Sequence, residues 1–308
     1  MILKLNYPNL CFLVLPLTII SISVYCLWKL GINTHFDEWT GRGLYPSLAF
    51  ARGFDLYETQ NGSLVTMYGF GMALFYSATV LASYPTTAIT IAYLTNILGL
   101  MVPLYFLSRR MYQDSENSIL SAISLPLTFA FLVLFCLQLE KTTSGVLQIH
   151  ADTPALSFIL IGLFLFQHYE SKKSNKFLFL TCLSLSLAVW SKLPTLPVLL
   201  FPIIYLFINR RLKESLKSVL LTSLTFIGLS ALIFLIYGFD DVYYYIIQFP
   251  SGSMWSYRND LFDGSNALLK RHSYFEGIPL LFRFVVMYLA EYWYLIFSNL
   301  VLFLLSFK

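Results

Sequence analysis

The run MYGFGMALFYSATVLASY, Met67 to Tyr84, decides how many times this chain crosses a bilayer. It is long and apolar enough to span at about 1.5 Å per residue, yet it carries Gly69, Gly71 and several aromatic residues. The basic residues elsewhere arbitrate. If the run does not cross, then Arg109-Arg110, Lys172-Lys173-Lys176 and Arg210-Arg211-Lys213-Lys217 all share the side of Lys4, as the positive-inside rule expects. If it crosses, the first two groups change sides. Met67 to Tyr84 is therefore read as a helix lying in, or dipping into, the outer leaflet.

Composition sets the class in which that argument applies. With 57% hydrophobic residues, 12% charged residues and a mean hydropathy of +0.70, the chain reads as an all-α polytopic membrane protein rather than a water-soluble domain. The net charge of +4 comes from Lys and Arg in short loops, so it implies no nucleic-acid partner; the surroundings are membrane lipids. About eight transmembrane helices are expected within a single membrane domain over 1–308. They are Leu10–Trp28, Thr86–Leu107, Ile119–Leu139, Thr153–Phe166, Phe177–Trp190, Pro194–Ile208, Val219–Tyr237 and one within Ile278–Phe307. The first lacks a small-residue cleavage site and is read as an uncleaved anchor with a cytoplasmic amino terminus. The two short segments flanking Ser191 read as a tight pair meeting at the outer surface. Cys11, Cys26, Cys136 and Cys182 lie in apolar runs without metal-ligand spacing, as small buried hydrophobes do.

Working outward from Met67, residues 29–85 form the first outer loop and 238–277 a later one whose length suits a lid. This topology gathers Asp37, Glu38, Asp55, Glu58, Asp152, Lys192, Asp240, Asp241, Arg258, Asp260, Asp263, Lys270 and Arg271 on one face. The opposite loops keep Asp114, Glu116, Glu170 and Glu214, each near basic residues. Acidic residues contribute little to topology, so the asymmetry points to a use for carboxylates on the outer side.

Asp37-Glu38, one loop after the first span, resembles the acidic pair of the GT-C membrane glycosyltransferases, which include protein O-mannosyltransferases and lipid A aminoarabinose transferases. Leu44-Tyr45-Pro46, Gly53-Phe54-Asp55-Leu56-Tyr57 and Tyr68-Gly69 are similar to the loop those enzymes place before their second membrane segment. His150-Ala151-Asp152-Thr153-Pro154 resembles their second acidic site. Ser191-Lys192-Leu193-Pro194 looks like their outer-facing lysine. The resemblance covers roughly the first 240 residues. The chain stops within or just after its eighth span, where such enzymes often continue, so it is either a minimal member or a fragment.

The resemblance implies a GT-C-like bundle with juxtamembrane helices in the first outer loop. It also implies a polyprenyl-phosphate sugar as donor, its phosphate leaving as the sugar passes to an acceptor hydroxyl of unspecified class. An inverting displacement needs a carboxylate within hydrogen-bond reach of that hydroxyl. Asp37 is the choice, with Glu38 as alternative or orienting group. The departing phosphate calls for positive charge held in advance; Lys192 is the first candidate, with Arg258, Lys270, Arg271 and Arg52 as helpers and Tyr68 among the substrate-binding residues. Asp152 could orient the acceptor or a basic partner, and Asp37 or Asp152 could hold a divalent cation.

Other readings stand beside these. Asp152-Thr153-Pro154 is a good helix start in its own right, Lys192 could snorkel from a helix end, and His35 and His150 read as loop residues because no ligand spacing supports a metal. The rival classes are a transporter or flippase, which would place ionisable groups mid-membrane and show internal repeats, and a non-catalytic membrane subunit.

Overall fold

The computed structural model describes residues 38–57, 68–114 and 149–248. The expected spans Leu10–Trp28, Ile119–Leu139 and Ile278–Phe307 lie outside them, as do Asp37, Arg258, Lys270 and Arg271. Backbone contacts divide the chain into Met1–Ile246 and Ile247–Lys308; the architecture below is that of the first unit.

Every described element is helical, with no strand among the described residues. In chain order they are α1 (Glu38–Ala51), α2 (Phe70–Phe75), a 3₁₀ turn (Ser77–Leu81) and α3 (Pro85–Asp114), then α4 (Asp152–Lys172) and α5 (Asn175–Ser191). A 3₁₀ stretch (Leu193–Leu200), α6 (Phe201–Ile208), α7 (Leu212–Tyr237), α8 (Phe239–Tyr243) and a π-helical turn (Tyr244–Gln248) follow.

The run Met67–Tyr84 does not form one straight helix. It breaks at Tyr76 into α2 and the 3₁₀ turn, which together reach only about 19 Å at the standard rises, well short of a bilayer core. Among the described residues two stretches are long and apolar enough to cross a membrane, Pro85–Leu107 of α3 and the whole of α7, while Asn175–Ser191 and Leu193–Ile208 are shorter apolar helices.

Two corrections to the expected spans have physical causes. Pro194–Ile208 is not a single α-helix: Pro194 and Pro197 cannot donate i→i−4 hydrogen bonds, and the chain winds as a 3₁₀ stretch until Phe201. The looser rise of that stretch lets sixteen residues cover about 28 Å. The expected pair of short segments does meet at Ser191, Leu185 and Val189 of α5 packing on Leu199 of the 3₁₀ stretch, and α5 packs more extensively still against α4 in a second hairpin. The α4–α5 turn closes through Lys173 in the left-handed region, its N–H bonded to the Tyr169 carbonyl. Finally, α7 starts at Leu212 rather than Val219, since the charges of Lys213, Glu214 and Lys217 interrupt the apolar run without interrupting the helix.

Small residues set how closely the helices approach. Gly162 of α4 faces the Leu185 side chain and the Thr181 carbonyl of α5, and Ser184 donates to the Phe158 carbonyl at 2.7 Å. Gly99 of α3 meets Ser157 of α4 and Phe106 meets Phe164 at 5.5 Å between ring centres, so these two helices run parallel. Helix α7 runs parallel to α5, with Thr222 bonded to Cys182, Thr225 to Ser186 and the Trp190 indole to Ser230. Such small and weakly polar contacts are how helices associate where hydrophobicity alone does not drive them together.

The polarity of α7 is inverted relative to a helix in water. It buries Ser215, Ser218, Thr222 and Thr225 while Leu220, Leu224, Ile227 and Leu235 stand 61–84% exposed.

These directions place Lys172, Lys173 and Lys176 at the same end of the helices as Arg210, Arg211, Lys213 and Lys217. The Arg211 guanidinium donates to Glu170 at 2.6 and 2.7 Å, and Lys217 bonds Asn175. The parallel course of α3 and α4 brings the backbone of Arg109 and Arg110 to that end too. The three basic groups invoked by the charge count therefore converge, and Asp152 and Lys192 lie at the other end.

Candidate functional site

The end away from the basic groups is built by two helix termini and the segments of the first loop folded onto them. The α4–α5 hairpin brings the first residue of α4, Asp152, beside Lys192, which follows the last residue of α5. An acid at a helix start and a cation at a helix end each complement the local backbone dipole, and in an antiparallel pair the two charges meet. Lys192 Nζ donates to Asp152 Oδ1.

The other carboxylate oxygen, Oδ2, accepts from His150 Nδ1 at 2.6 Å. Because an ionised carboxylate only accepts, Nδ1 carries a proton, and Nε2 hydrogen-bonds the Tyr68 hydroxyl. The two rings meet edge to face with centres 4.8 Å apart. Tyr68, His150, Asp152 and Lys192 thus form one continuous hydrogen-bonded chain. The Asp152 side chain is 49% exposed against 21% for His150 and 30% for Lys192.

Partial burial alone would push the Asp152 carboxyl up. The hydrogen bonds from His150 and Lys192 and the Lys192 charge outweigh it and hold the group down at about 2.

Close backbone approaches fix this arrangement. A side chain at Gly69 would overlap the Trp190 carbonyl, one at Gly71 the Leu187 carbonyl and the Ser191 hydroxyl, and one at Gly43 of α1 the Ile149 carbonyl. The first-loop segments therefore lie directly on the end of α5 and on the strand of chain that carries His150. Ile149 and Ala151 are buried on either side of His150, and Tyr76 donates to Asn96 Oδ1 of α3 at 2.6 Å and reaches the His150 carbonyl at 3.4 Å. Tyr57, fully buried, donates to the Tyr68 carbonyl at 3.2 Å and packs on Tyr237. Its phenol is pushed well above the usual range, mainly by burial.

Of the residues singled out in the sequence, Asp152, Lys192 and Tyr68 come together. Glu38 is the first residue of α1. Arg52 follows the last residue of α1 and is exposed, with no bond to the cluster. His150 is a loop residue, as expected, and it is also the bridge of the cluster, a role that sequence reasoning missed.

Among the described residues no three His, Cys, Asp or Glu side chains gather; Asp37, named with Asp152 as a possible cation ligand, lies outside them.

No family model matches the chain, and no curated protein or solved structure matches it either.

Proposed function

We propose that the chain is an integral, multi-pass membrane glycosyltransferase, of the inner membrane or its equivalent, working on the non-cytoplasmic face with a polyprenyl-phosphate sugar as donor. The observation that carries the reading is the meeting of Asp152 and Lys192, with His150 and Tyr68, at the end of the helices opposite the basic groups. The positive-inside rule assigns that end to the non-cytoplasmic side, where a lipid-linked donor is the available sugar source. The resemblance of Asp37-Glu38, His150 to Asp152 and Lys192 to GT-C motifs supplies the reaction class.

In this reaction the bond between the anomeric carbon and the phosphate oxygen breaks as the acceptor oxygen bonds the same carbon from the opposite face. The acceptor proton passes to Asp37, the general base. Polyprenyl phosphate leaves with its negative charge against Lys192. Asp152, fixed by His150, holds that ammonium in place before substrate arrives, so little reorganisation is needed when charge develops. Helix α1, which begins at Glu38 directly after Asp37 in the sequence, crosses the Ile149 backbone at Gly43, five residues and about 7.5 Å of helix rise from its start.

The test supplies purified full-length protein with polyprenyl-phosphate hexoses and pentoses and follows release of polyprenyl phosphate. Turnover should fall by at least about 10²-fold in Asp37→Asn, the scale of a lost general base. Undiminished turnover in that variant would remove Asp37 from the role, and failure of every donor with folded protein would favour a transporter or a non-catalytic subunit.

A further inference from the structure

The basic end of the helices carries a second feature, independent of the transferase reading. Among the described side chains, seven cations (Lys172, Lys173, Lys176, Arg210, Arg211, Lys213 and Lys217) share this end with two carboxylates, Glu170 and Glu214. Both carboxylates are already committed: Arg211 binds each of them, Lys173 reaches Glu170 at 3.0 Å, and Tyr169 donates to Glu214. Lys172, Lys176, Arg210 and Lys213 are exposed and have no ion-pair partner among the described residues.

Directly beyond Arg210 and Lys213 begins an apolar stripe. Leu212, Leu216, Leu220, Leu224 and Ile227 recur at three- and four-residue spacing, so they share one face of α7, and each is 57–70% exposed. Lys213 is three residues before Leu216, which places its ammonium stem beside the head of the stripe. The stripe extends about 22 Å, more than the roughly 15 Å of hydrocarbon in one leaflet.

Surplus positive charge at one end of an apolar stripe of acyl-chain length is the complement of one kind of molecule. We propose that this surface binds an anionic phospholipid, its headgroup phosphate against Arg210 and Lys213 and an acyl chain along the stripe from Leu216 to Leu224. A zwitterionic lipid fits the stripe equally but brings no net negative charge to the cations.

The experiment measures thermal unfolding of the full-length protein in a neutral detergent, delipidated and then supplemented with phosphatidylglycerol, with phosphatidylcholine, or with glycerol phosphate. Phosphatidylglycerol should raise Tm by a few degrees, on the order of 2–6 °C for a ligand well above its Kd, and the other two by clearly less. Raising salt should shrink the difference. Arg210→Gln/Lys213→Gln, which breaks no ion pair and should keep the wild-type Tm in detergent alone, should lose the increment. Should that variant misfold, Leu216→Ser/Leu220→Ser on the exposed stripe tests the acyl contact by the same readout. Equal stabilisation by phosphatidylglycerol and phosphatidylcholine, an equal shift from glycerol phosphate, or an increment retained in both variants would each overturn the proposal.

Discussion

Asp152 and Lys192, forty residues apart in sequence, form an ion pair across the mouth of the α4–α5 hairpin. Neither residue is deeply buried, so the pair contributes little to global stability; exposed pairs are typically worth about 0–1 kcal/mol. Its consequence is positional. One carboxylate oxygen holds Lys192 and the other holds His150, which in turn bonds Tyr68, so three segments of chain, those of Tyr68, His150–Asp152 and Lys192, are tied together.

The first prediction concerns acid. Asp152 titrates at about 2 in the folded protein, below its ordinary value of 3.8. A depressed carboxyl pKa contributes stability that is present above the unfolded value and is lost as pH falls through the folded one. The melting difference between wild type and Asp152→Asn should therefore be constant from neutrality to about pH 4 and vanish towards pH 2. Its size should correspond to no more than about 1 kcal/mol, given the exposure of the group. A difference that disappears between pH 5 and 7 would show that the carboxylate is not held as described.

How much of this arrangement is legible in the sequence depends on which contacts are local. The meeting of Asp152 and Lys192 is close to legible: they lie 21 residues before and 19 after Lys173, so a hairpin turning at the Lys172–Lys173 basic group puts them at one end. The convergence of the three basic groups follows from the same alternation. The roles of His150 and Tyr68 are not legible, because they depend on the first-loop segments settling on the end of α5 through Gly69 and Gly71. Nothing in the local sequence says which backbone those glycines face. The early start of α7 is missed for another reason: a hydropathy window stops at Lys213 and Glu214, whereas a helix tolerates polar residues in its first turn and welcomes an acid there.

The glycine contacts give the second prediction. A methyl group at Gly71 would overlap the Leu187 carbonyl and the Ser191 hydroxyl, one of them backbone that cannot swing aside. Gly71→Ala should therefore cost about 1–3 kcal/mol, the range for overpacking, and lower Tm by several degrees while loosening the Tyr68–His150 bond. Gly228, in the interior of α7, has open space where a side chain would go. Gly228→Ala should be neutral or gain roughly 0.5–1 kcal/mol through helix propensity. Both variants are read by thermal unfolding in detergent; a Gly71→Ala protein as stable as wild type would mean that α2 does not lie on α5.

The third prediction places the two ends of the helices on opposite sides of a bilayer. Helix α7 has 26 residues, about 39 Å at the α-helical rise, and is long and apolar enough to cross a hydrocarbon core of roughly 30 Å. The apolar outer face of α7 and its polar buried face suit the same solvent. If α7 crosses, site and basic cluster are separated by the membrane, and the positive-inside rule assigns the basic end to the cytoplasm. Single cysteines at Lys192, Ser171 and Arg210, in a background with Cys11, Cys26, Cys136 and Cys182 replaced, report this directly. A membrane-impermeant maleimide added to intact cells should label the Lys192→Cys protein, and the Ser171→Cys and Arg210→Cys proteins only after permeabilisation. If all three label together, the helices lie on one side of the membrane and the donor at the Lys192 end could not be a lipid-linked sugar of the opposite leaflet.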